Sequence, residues 1–345
     1  MSRRGFAAEP PKAAIFGCAG VRLSAWEERF FAASRPLGFI LFRRNCSSRE
    51  EVRALVSALR KSVGREDAPV LIDQEGGRVA RLAPPSWRLY PSAARLASLP
   101  DPVAEEAVRT GARLIAEDLE EIGVSVDLAP VLDLAFPGAD PVIGERSYGS
   151  DPLRVARLGE AASGGLLEGG VLPVIKHIPG HGRARVDSHR SRPFVEASRE
   201  ELARTDFAPF RALNHLPWAM TAHVVFAAID AGAPATLSPR VVQEVIRGEI
   251  GFSGVLLTDD LSMGALDGPL EERARRALAA GCDLVLHCNA RPGEMERLAA
   301  ATPPISEESA ARLERAEASR RRDSSFAREA ALARFAELIA AGENP

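Results

Sequence analysis

Short apolar runs alternate with longer amphipathic segments along most of the chain. Eight apolar runs are rich in Val, Ile and Leu and have the length of strands, whereas the segments between them repeat apolar residues at helical spacing. The predicted strands are 13–17, 38–42, 69–73, 124–129, 172–176, 218–222, 254–258 and 282–287. Alternation of strands with helices indicates a parallel sheet, and eight strands favour a closed barrel over an open sheet. The predicted fold class is therefore α/β, a (β/α)8 TIM barrel.

The segments between the strands predict helices. These span 49–62, 102–122, 151–169, 198–213, 239–250 and 269–280. Two of them begin with recognisable signals. Ser238 before Pro239 predicts an N-cap followed by proline at the first helical position, and the sequence Ser47-Ser48-Arg49-Glu50 resembles a capping box.

The two ends of the chain depart from the barrel pattern. Residues 305–345 are helical in character but precede no further strand, which predicts extra C-terminal helices packed on the barrel exterior. Residues 1–12 are expected to form a flexible N-terminus. No Ser/Gly-rich linker or break in composition divides the sequence, so residues 1–345 are predicted to form one TIM-barrel domain.

The composition narrows the class of partner. With 46% hydrophobic and 26% charged residues, the chain has the composition of a globular protein with a sizeable core. Its formal net charge of −3 gives no basic excess to neutralise a phosphate backbone, so nucleic acid is not an expected partner. The basic run 320–322 lies among Glu314, Glu317 and Asp323, which is typical of a solvated helix face.

The cysteines and the N-terminal residues indicate the cellular compartment of the protein. The 4 cysteines show neither the density of a disulfide scaffold nor a C-x-x-C pair, which favours reduced thiols in the cytosol. Arg3 and Arg4 resemble an export signal, but residues 9–12, Glu-Pro-Pro-Lys, interrupt the apolar region of about 7–15 residues that such a signal needs. No stretch approaches the roughly 20 apolar residues of a membrane span. We therefore expect a cytoplasmic protein without stable membrane association. A monomer is the expected state, although none of these features determines it.

Polar side chains follow several predicted strands at the point where each strand ends. These residues are Asp73, Lys176, His177, His223, Asp259 and His287. Because the carboxyl ends of the strands meet at one mouth of a (β/α)8 barrel, we expect these side chains to line a single pocket. Polar residues also begin ordinary loops, but so many strand ends carrying Asp, Lys or His favour a polar pocket.

The segment 176–189 contains three of the 6 histidines, and its glycines and proline indicate a long loop after a strand. Within it, Asp187 and His189 are close enough for their side chains to meet if the backbone turns. A carboxylate bonded to one ring nitrogen fixes the tautomer and leaves the other nitrogen for proton transfer near neutral pH. Alternatively, Asp187 caps a turn and His189 is solvated. We interpret His181 as a residue that shapes the loop.

Two adjacent carboxylates, Asp259 and Asp260, follow the strand at 254–258. A carboxylate at the end of a barrel strand is placed to attack an electrophilic carbon, so one of the pair is expected to face the barrel interior. The other could cap the next helix or pair with a basic residue. Gly76 and Gly77 belong to no nucleotide-binding fingerprint and are expected to let the backbone turn beside a ligand.

Several segments of the sequence resemble those of a known family. Residues 176–182, Lys-His-Ile-Pro-Gly-His-Gly, and 187–189, Asp-Ser-His, resemble the K-H-F-P-G-H-G…D-S-H signature of bacterial glycoside hydrolase family 3 β-N-acetylglucosaminidases, a group of β-hexosaminidases. Further similar segments are 38–45, 73–81, 146–149, 235–239 and 258–263. The similarity runs in order from about residue 36 to 290 and covers most of the chain.

The resemblance implies a fold and an activity. It implies a single-domain TIM barrel that removes terminal β-1,4-linked N-acetylglucosamine from (anhydro)muropeptides during cytoplasmic peptidoglycan recycling. The configuration is retained through a covalent glycosyl-aspartate, and no metal or organic cofactor is expected. The partner is thus a small carbohydrate or muropeptide substrate.

The resemblance also assigns roles within this sequence. The family's nucleophile is the aspartate directly after Ser or Thr at this strand end, which matches Asp259. His189 matches the acid/base and Asp187 its carboxylate partner. The sugar-binding positions that carry over are Asp73, Arg81, Arg146, Lys176 and His177.

Some features leave alternatives open. Ile178 stands where the family has phenylalanine, and Arg183 and Arg185 make the loop more basic, which bears on substrate preference. Glu75 is a rival acid/base. A family 3 β-glycosidase of broader sugar specificity is a second reading of the function. A zinc-dependent TIM-barrel hydrolase is a remote alternative, but the sequence contains neither of the motifs H-x-H and H-E-x-x-H that such an enzyme uses. A non-catalytic sugar-binding protein is another remote alternative, and it would bind a sugar without turnover.

Overall fold

The computed structural model describes residues 10–321 and 325–341, which form a closed barrel of parallel strands inside a layer of helices. The strands are β1 Lys12–Gly17, β2 Pro36–Leu41, β3 Val70–Ile72, β4 Val126–Asp127, β5 Leu172–Ile178, β6 Trp218–Thr221, β7 Val255–Asp260 and β8 Leu284–His287. Each strand pairs in parallel with the next, and β8 pairs with β1 to close the barrel. The predicted (β/α)8 barrel is confirmed.

The ends of the strands differ from prediction by a few residues. β4 covers Val126–Asp127 rather than 124–129. The backbone leaves the regular ladder before Pro130, which has no N–H to donate. β5 extends to Ile178, two residues beyond its predicted end, and so carries part of the polar sequence that follows it.

Eleven α-helices surround the barrel in the part of the chain that the structure describes. They are α1 Ala25–Ser34, α2 Arg49–Ser62, α3 Ala93–Ala97, α4 Asp101–Glu121, α5 Pro152–Glu168, α6 Arg199–Arg204, α7 Ala208–Ala212, α8 Leu270–Ala280, α9 Pro292–Ala301, α10 Glu307–Ala318 and α11 Arg328–Ala340. A π-helix, Val241–Glu249, lies between α7 and α8. The predicted helix 198–213 was wrong in one respect, because it divides into α6 and α7 with Pro209 in the first turn of α7. α1 was not predicted, although Ser24 and Glu27 form a capping box at its start.

The predicted cap at Ser238 is confirmed, whereas the predicted capping box at 47–50 is replaced by a single cap at Ser48. The Ser238 hydroxyl accepts a hydrogen bond from the Val241 N–H at 3.2 Å, and the Ser48 hydroxyl accepts one from the Glu51 N–H at 3.3 Å. The acidic residue that follows the Ser48 cap by three positions is therefore Glu51, not Glu50. Caps of this kind satisfy N–H groups that have no partner within the helix.

Alternation along the strands separates two apolar cores. One set of side chains fills the barrel, including Ile15, Val174 and Leu257. The other set, including Phe39 and Leu256, packs outward against the helices. Successive side chains of a strand point to opposite faces, so neighbours such as Leu256 and Leu257 belong to different cores.

The helices predicted after the last strand, within 305–345, are α10 and α11. α11 lies on α4, where the Arg328 guanidinium donates to Asp118 at 2.8 Å and the Phe335 ring lies 6.3 Å from the Tyr90 ring. Residues 322–324 and 342–345 lie outside the described residues. Residues 1–9, the greater part of the predicted flexible N-terminus, do so too, and Lys12 begins β1. Within 10–321 and 325–341, no helix is both long and apolar enough to cross a membrane.

One carboxyl group of the barrel is buried in an unusual state. Asp127, on β4, is fully buried and accepts a hydrogen bond from the Gln74 N–H at 2.9 Å. Burial raises its pKa to about 7, although the Gln74 N–H and Lys176 lower it and the carboxylates of Asp73 and Glu75 raise it. The group therefore holds its proton well above the pH at which an exposed aspartate loses it.

The barrel core predicts a matched pair of stability effects. Leu257→Ala, at a residue with 0% exposure, is expected to lower the free energy of unfolding by about 2–5 kcal/mol because it leaves a cavity in the barrel interior. Leu153→Ala, at a side chain with 73% exposure, is expected to change it by less than about 0.5 kcal/mol. Chemical denaturation of both variants measures the difference, and equal losses would contradict the described interior.

Asp127 predicts a pH-dependent stability. Between roughly pH 4 and pH 7 the folded chain holds a proton at Asp127 that the unfolded chain has released. The free energy of unfolding contributed by this group therefore falls as the pH rises through that window. Asp127→Asn removes the titration. The Tm of the variant minus that of the wild type is therefore expected to increase from pH 4 to pH 8. A Tm difference that stays constant over this range would show that Asp127 titrates normally.

Candidate active site

An ion-pair network lies at the carboxyl ends of β3 and β5. The Lys176 ammonium, with 2% of its side chain exposed, lies 2.8 Å from Asp73 Oδ1 and 2.6 Å from Glu75 Oε1. The Arg81 guanidinium donates to Asp73 Oδ2 at 3.0 Å. Burial raises the pKa of Asp73, but Lys176 and Arg81 lower it more, so the pKa lies well below its usual range. Both partners of the Asp73 contact with Lys176 are therefore charged at neutral pH.

Glu75 is held more tightly than a proton donor would be. Arg146 binds it in a bidentate arrangement, with Nε and Nη2 each donating at 2.8 Å. Burial raises the pKa of the Glu75 carboxyl, but Arg146 and Lys176 bring it below its ordinary value. Glu75 thus remains a carboxylate at neutral pH, which argues against its being the acid/base and makes it a support for Arg146 and Lys176.

Asp133 fixes the start of the loop that follows β5. Its carboxylate lies 2.6 Å from His177 Nδ1 and accepts hydrogen bonds from the backbone N–H groups of His177 and His181, the latter at 2.6 Å. Burial raises the pKa of Asp133, but His177 and these hydrogen bonds lower it overall. Because Nδ1 of His177 is engaged, Nε2 is the ring nitrogen that remains to meet a ligand.

The structure separates the two neighbouring aspartates. Asp259 is partly exposed at the barrel mouth, and its electrostatic neighbours are His223, His177 and Lys176. Burial raises the pKa of Asp259, but these neighbours and the Asp260 N–H lower it overall. The Asp260 carboxylate instead accepts from the Ser262 hydroxyl at 2.6 Å and belongs to the turn after β7.

A shift in strand register accompanies this separation. Leu257 pairs with Leu284, whereas Asp260 pairs with Leu286, so three residues of β7 advance against two of β8. An extra residue of this kind re-aims the side chains beside it, and such irregularities are frequent next to active sites. Asp259 is the residue aimed at the mouth.

Of the two other predicted pocket histidines, one lies beside Asp259 and one does not. His223 Nε2 donates to the Asp260 carbonyl at 3.1 Å, its Nδ1 meets the Thr236 hydroxyl at 2.7 Å, and burial lowers its pKa. The prediction for His287 is wrong. Because Leu286 faces the barrel interior, His287 faces outward, where its ring lies 6.1 Å from that of Phe16.

Asp187 and His189 meet as the sequence predicted. His189 Nδ1 lies 2.7 Å from Asp187 Oδ1, which also accepts the His189 N–H at 2.9 Å. The His189 side chain is 64% exposed, and the pKa of Asp187 is lowered overall by these hydrogen bonds despite partial burial, which raises it. Since Nδ1 faces the carboxylate, Nε2 is free for proton transfer to a ligand.

The dyad is attached to the segment that follows Asp259. The Gly264 N–H donates to the His189 carbonyl at 3.2 Å, and the Ala265 N–H donates to the Ser188 carbonyl at 3.0 Å. A Cβ atom on Gly264 would lie 2.9 Å from the carbonyl oxygens of His189 and Arg190, so a side chain at this position would force the two segments apart. The loop that carries His189 is thus docked beside the strand that carries Asp259.

Arg183 has a structural role, whereas the sequence suggested that it adds positive charge to the loop. It pairs with Asp206 at 2.7 Å, and its guanidinium lies 4.0 Å from the centre of the Phe136 ring. This arginine therefore anchors the loop instead of adding a free charge to it. Arg185 is exposed, and Ile178 is fully buried in the outer core.

The sequence analysis did not identify the roles of two site residues, Asp133 and Glu75. Asp133 lies beyond the end of β4, so the rule that looked for polar residues directly after strands did not find it. Glu75 was considered as an acid/base rival, although Asp73, Glu75 and Arg81 occupy one short hairpin. The available signal for Glu75 was its spacing from Asp73, because residues two positions apart in an extended segment face the same side.

The arrangement brings together a carboxylate and an imidazole, groups that are capable of nucleophilic and acid/base chemistry, with donors and acceptors for hydroxyl groups. Carboxylates accept hydrogen bonds, and Lys and Arg donate them, so the network can recognise a polar ligand in a fixed orientation. Across residues 10–321 and 325–341, no three His, Cys, Asp or Glu side chains are grouped to hold a metal ion.

The chain is similar to several known proteins. Residues 24–318 match the glycosyl hydrolase family 3 N terminal domain. A Beta-hexosaminidase of Alkalilimnicola ehrlichii is 42% identical over 282 residues, 80% of this chain and 80% of that protein. The fold also matches solved structures of related enzymes.

Two of these structures are informative. NagZ from Neisseria gonorrhoeae, in complex with N-trifluoroacetyl-D-glucosamine, has a TM-score of 0.85 at 33% identity and covers 97% of this chain and 99% of its own. A glycoside hydrolase family 3 β-N-acetylglucosaminidase from Paenibacillus sp. has a TM-score of 0.78 at 32% identity, and the match covers 96% of this chain and 61% of that longer one. The chain therefore belongs to glycosyl hydrolase family 3 and is a glycoside hydrolase of the β-hexosaminidase type.

Proposed function

We propose that the chain is a retaining exo-β-N-acetylglucosaminidase that releases terminal β-1,4-linked N-acetylglucosamine from (anhydro)muropeptides. In this proposal it works as a cytoplasmic monomer in peptidoglycan recycling and needs neither a metal nor an organic cofactor. The observation that carries the proposal is a partly exposed carboxylate at the mouth, Asp259, beside a docked loop that carries the Asp187–His189 dyad.

Asp259 is the nucleophile in this proposal. It attacks the anomeric carbon, the bond to the leaving oxygen breaks, and a covalent glycosyl-aspartate forms with inversion at that carbon. A second displacement by water inverts the carbon again, so the configuration is retained. The lowered pKa of Asp259 supports this role, because the carboxylate form is the one that attacks.

His189 is the acid/base. Its Nε2–H protonates the leaving oxygen in the first step, and Nε2 then takes a proton from the attacking water in the second. Asp187 holds Nδ1 at 2.7 Å and stabilises the imidazolium form that donates the proton. In most retaining enzymes this work falls to a carboxyl group about 5–5.5 Å from the nucleophile, so a histidine on a loop changes the usual spacing.

Sugar binding falls to the ion-pair network in this proposal. Asp73 accepts hydrogen bonds from sugar hydroxyls, while Lys176, Arg81 and Arg146 donate to hydroxyl or acetamido oxygens. His177 contributes Nε2, because Asp133 occupies Nδ1. The complex of the Neisseria gonorrhoeae protein with N-trifluoroacetyl-D-glucosamine supports a 2-acylamino sugar as the ligand.

A panel of aryl β-glycosides that differ at the 2-position tests the substrate. We expect kcat/KM for the acetamido sugar to exceed that for the 2-hydroxy sugar on the order of a hundredfold or more, because the hydroxy analogue leaves binding groups unpaired. Equal rates would replace this proposal by a family 3 β-glycosidase of broader specificity. Release of N-acetylglucosamine from an anhydromuropeptide, compared with chitobiose, tests the natural substrate class.

The neighbouring aspartates provide a matched test of the nucleophile. Asp259→Asn keeps the shape of the side chain but removes its charge, and kcat is expected to fall on the order of a thousandfold or more. Asp260→Asn changes a residue that bonds to Ser262 in the adjacent turn and is expected to cost far less. Steady-state kinetics on one aryl glycoside compares them, and the reverse order would move the nucleophile to Asp260.

His189→Ala is expected to have an effect that depends on the leaving group. Protonation matters most when the leaving oxygen is a strong base, so kcat/KM should fall steeply for poorly activated substrates and little for nitrophenyl glycosides of low leaving-group pKa. A plot of log kcat/KM against leaving-group pKa measures the slope. An unchanged slope would remove His189 from the acid/base role.

A further inference from the structure

The end of β5 and the loop after it form two segments that are fixed to the barrel in different ways. The inner segment, residues 177–184, is fixed through Asp133, which holds the backbone N–H groups of His177 and His181. A Cβ atom on Gly182 would lie 1.9 Å from the Leu134 carbonyl oxygen, so the inner segment lies directly against the backbone there. The outer segment, residues 185–192, carries the dyad and is more exposed.

One side-chain hydrogen bond joins the two segments. His181 Nε2 lies 3.0 Å from the Ser188 hydroxyl oxygen, and both residues are only 3% exposed. Ser188 stands between Asp187 and His189 in the chain, so its inward side chain sets the direction of the two neighbours. The contact therefore ties the acid/base directly to the segment that Asp133 fixes.

The state of His181 suits this contact. Its pKa is lowered to about 4, chiefly by burial and secondly by the nearby His177, although Asp133 and Asp259 raise it. At neutral pH the ring is neutral, and a neutral imidazole has one donor and one acceptor nitrogen. It can thus bond to a hydroxyl while remaining uncharged.

We propose that the His181–Ser188 hydrogen bond holds His189 in reach of the bond that breaks, which makes His181 and Ser188 positioning residues. The inference rests on the proposed function of His189 as acid/base. It assigns no proton transfer to His181 itself. Loss of the hydrogen bond leaves the outer segment attached through the Gly264 and Ala265 N–H groups but lets the dyad shift on that attachment, while Asp259 and the sugar-binding network stay in place.

The test measures kcat/KM, which reports on the step that the acid assists, for aryl N-acetylglucosaminides of high and low leaving-group pKa. Ser188→Ala is expected to lower kcat/KM about 3- to 10-fold for the poor leaving group, as loss of one hydrogen bond implies. For the good leaving group it should change less than about 2-fold. Ser191→Ala, on the exposed surface of the same outer segment, is the matched control and should match wild type with both substrates.

Conservative variants separate positioning from a general loss of structure. Ser188→Thr keeps the hydroxyl and should recover most of the rate with the poor leaving group. His181→Gln keeps an N–H near the position of Nε2 and should lose less than His181→Leu. On the His181→Leu background, Ser188→Ala should cost nothing more, because the hydrogen bond is already absent.

Two results would overturn the inference. One is a Ser188→Ala variant that equals wild type with both substrates, and the other is a loss that is equal for both leaving groups. Thermal unfolding of every variant is measured alongside, and Ser188→Ala keeps the test valid if His181→Leu does not fold. His189→Ala is measured in parallel. If it shows no dependence on the leaving group, the proposed function fails; if it does and Ser188→Ala does not, only this inference fails.

Discussion

Closure of eight parallel strands into a barrel sends every carboxyl end to the same mouth, and the rest of the site depends on that constraint. Asp73, Lys176 and Asp259 are far apart in sequence, yet each lies within two residues of the carboxyl end of a different strand. The barrel interior beneath them is filled by apolar side chains such as Leu257. Polar groups can therefore gather only at the rim, where a ligand can reach them.

The charges gathered there stabilise one another but cannot all be explained as contributions to stability. Lys176 is almost fully buried between two carboxylates, and burial of charged groups costs free energy that ion pairing only partly offsets. A dry, prearranged set of donors and acceptors is what a site needs to orient a polar sugar before reaction. The electrostatics of the mouth thus suit binding, while Asp259 and the loop dyad supply the chemistry in the proposed mechanism.

Much of this arrangement could be predicted from sequence because it follows from local rules. Apolar runs of strand length located all eight strands, and polar strand ends located Asp73, Lys176 and Asp259. Periodicity alone could not decide between Asp259 and Asp260, because a register shift in β7 breaks the alternation at that point. His287 was wrongly assigned to the mouth because the position of a strand end does not reveal whether its last side chain faces the barrel interior or the helices.

Other parts could not be predicted because they depend on contacts between distant segments. Asp133 acts through backbone N–H groups of a loop more than forty positions later in the chain. Arg183 looked like an added charge on a loop until its partner Asp206 was known. The Asp187–His189 contact was foreseen because it is local, whereas the docking of that loop on Gly264 is tertiary.

Trapping the glycosyl-enzyme tests most directly whether the barrel aims Asp259, and not its neighbour, at the anomeric carbon. A 5-fluoro N-acetylglucosaminide with a good leaving group should form the covalent intermediate faster than water can release it, because fluorine disfavours both transition states while the leaving group assists only the first. Mass spectrometry of the digested protein is then expected to find the sugar on Asp259. A sugar found on Asp260 or Glu75, or turnover with no covalent sugar at all, would contradict the account.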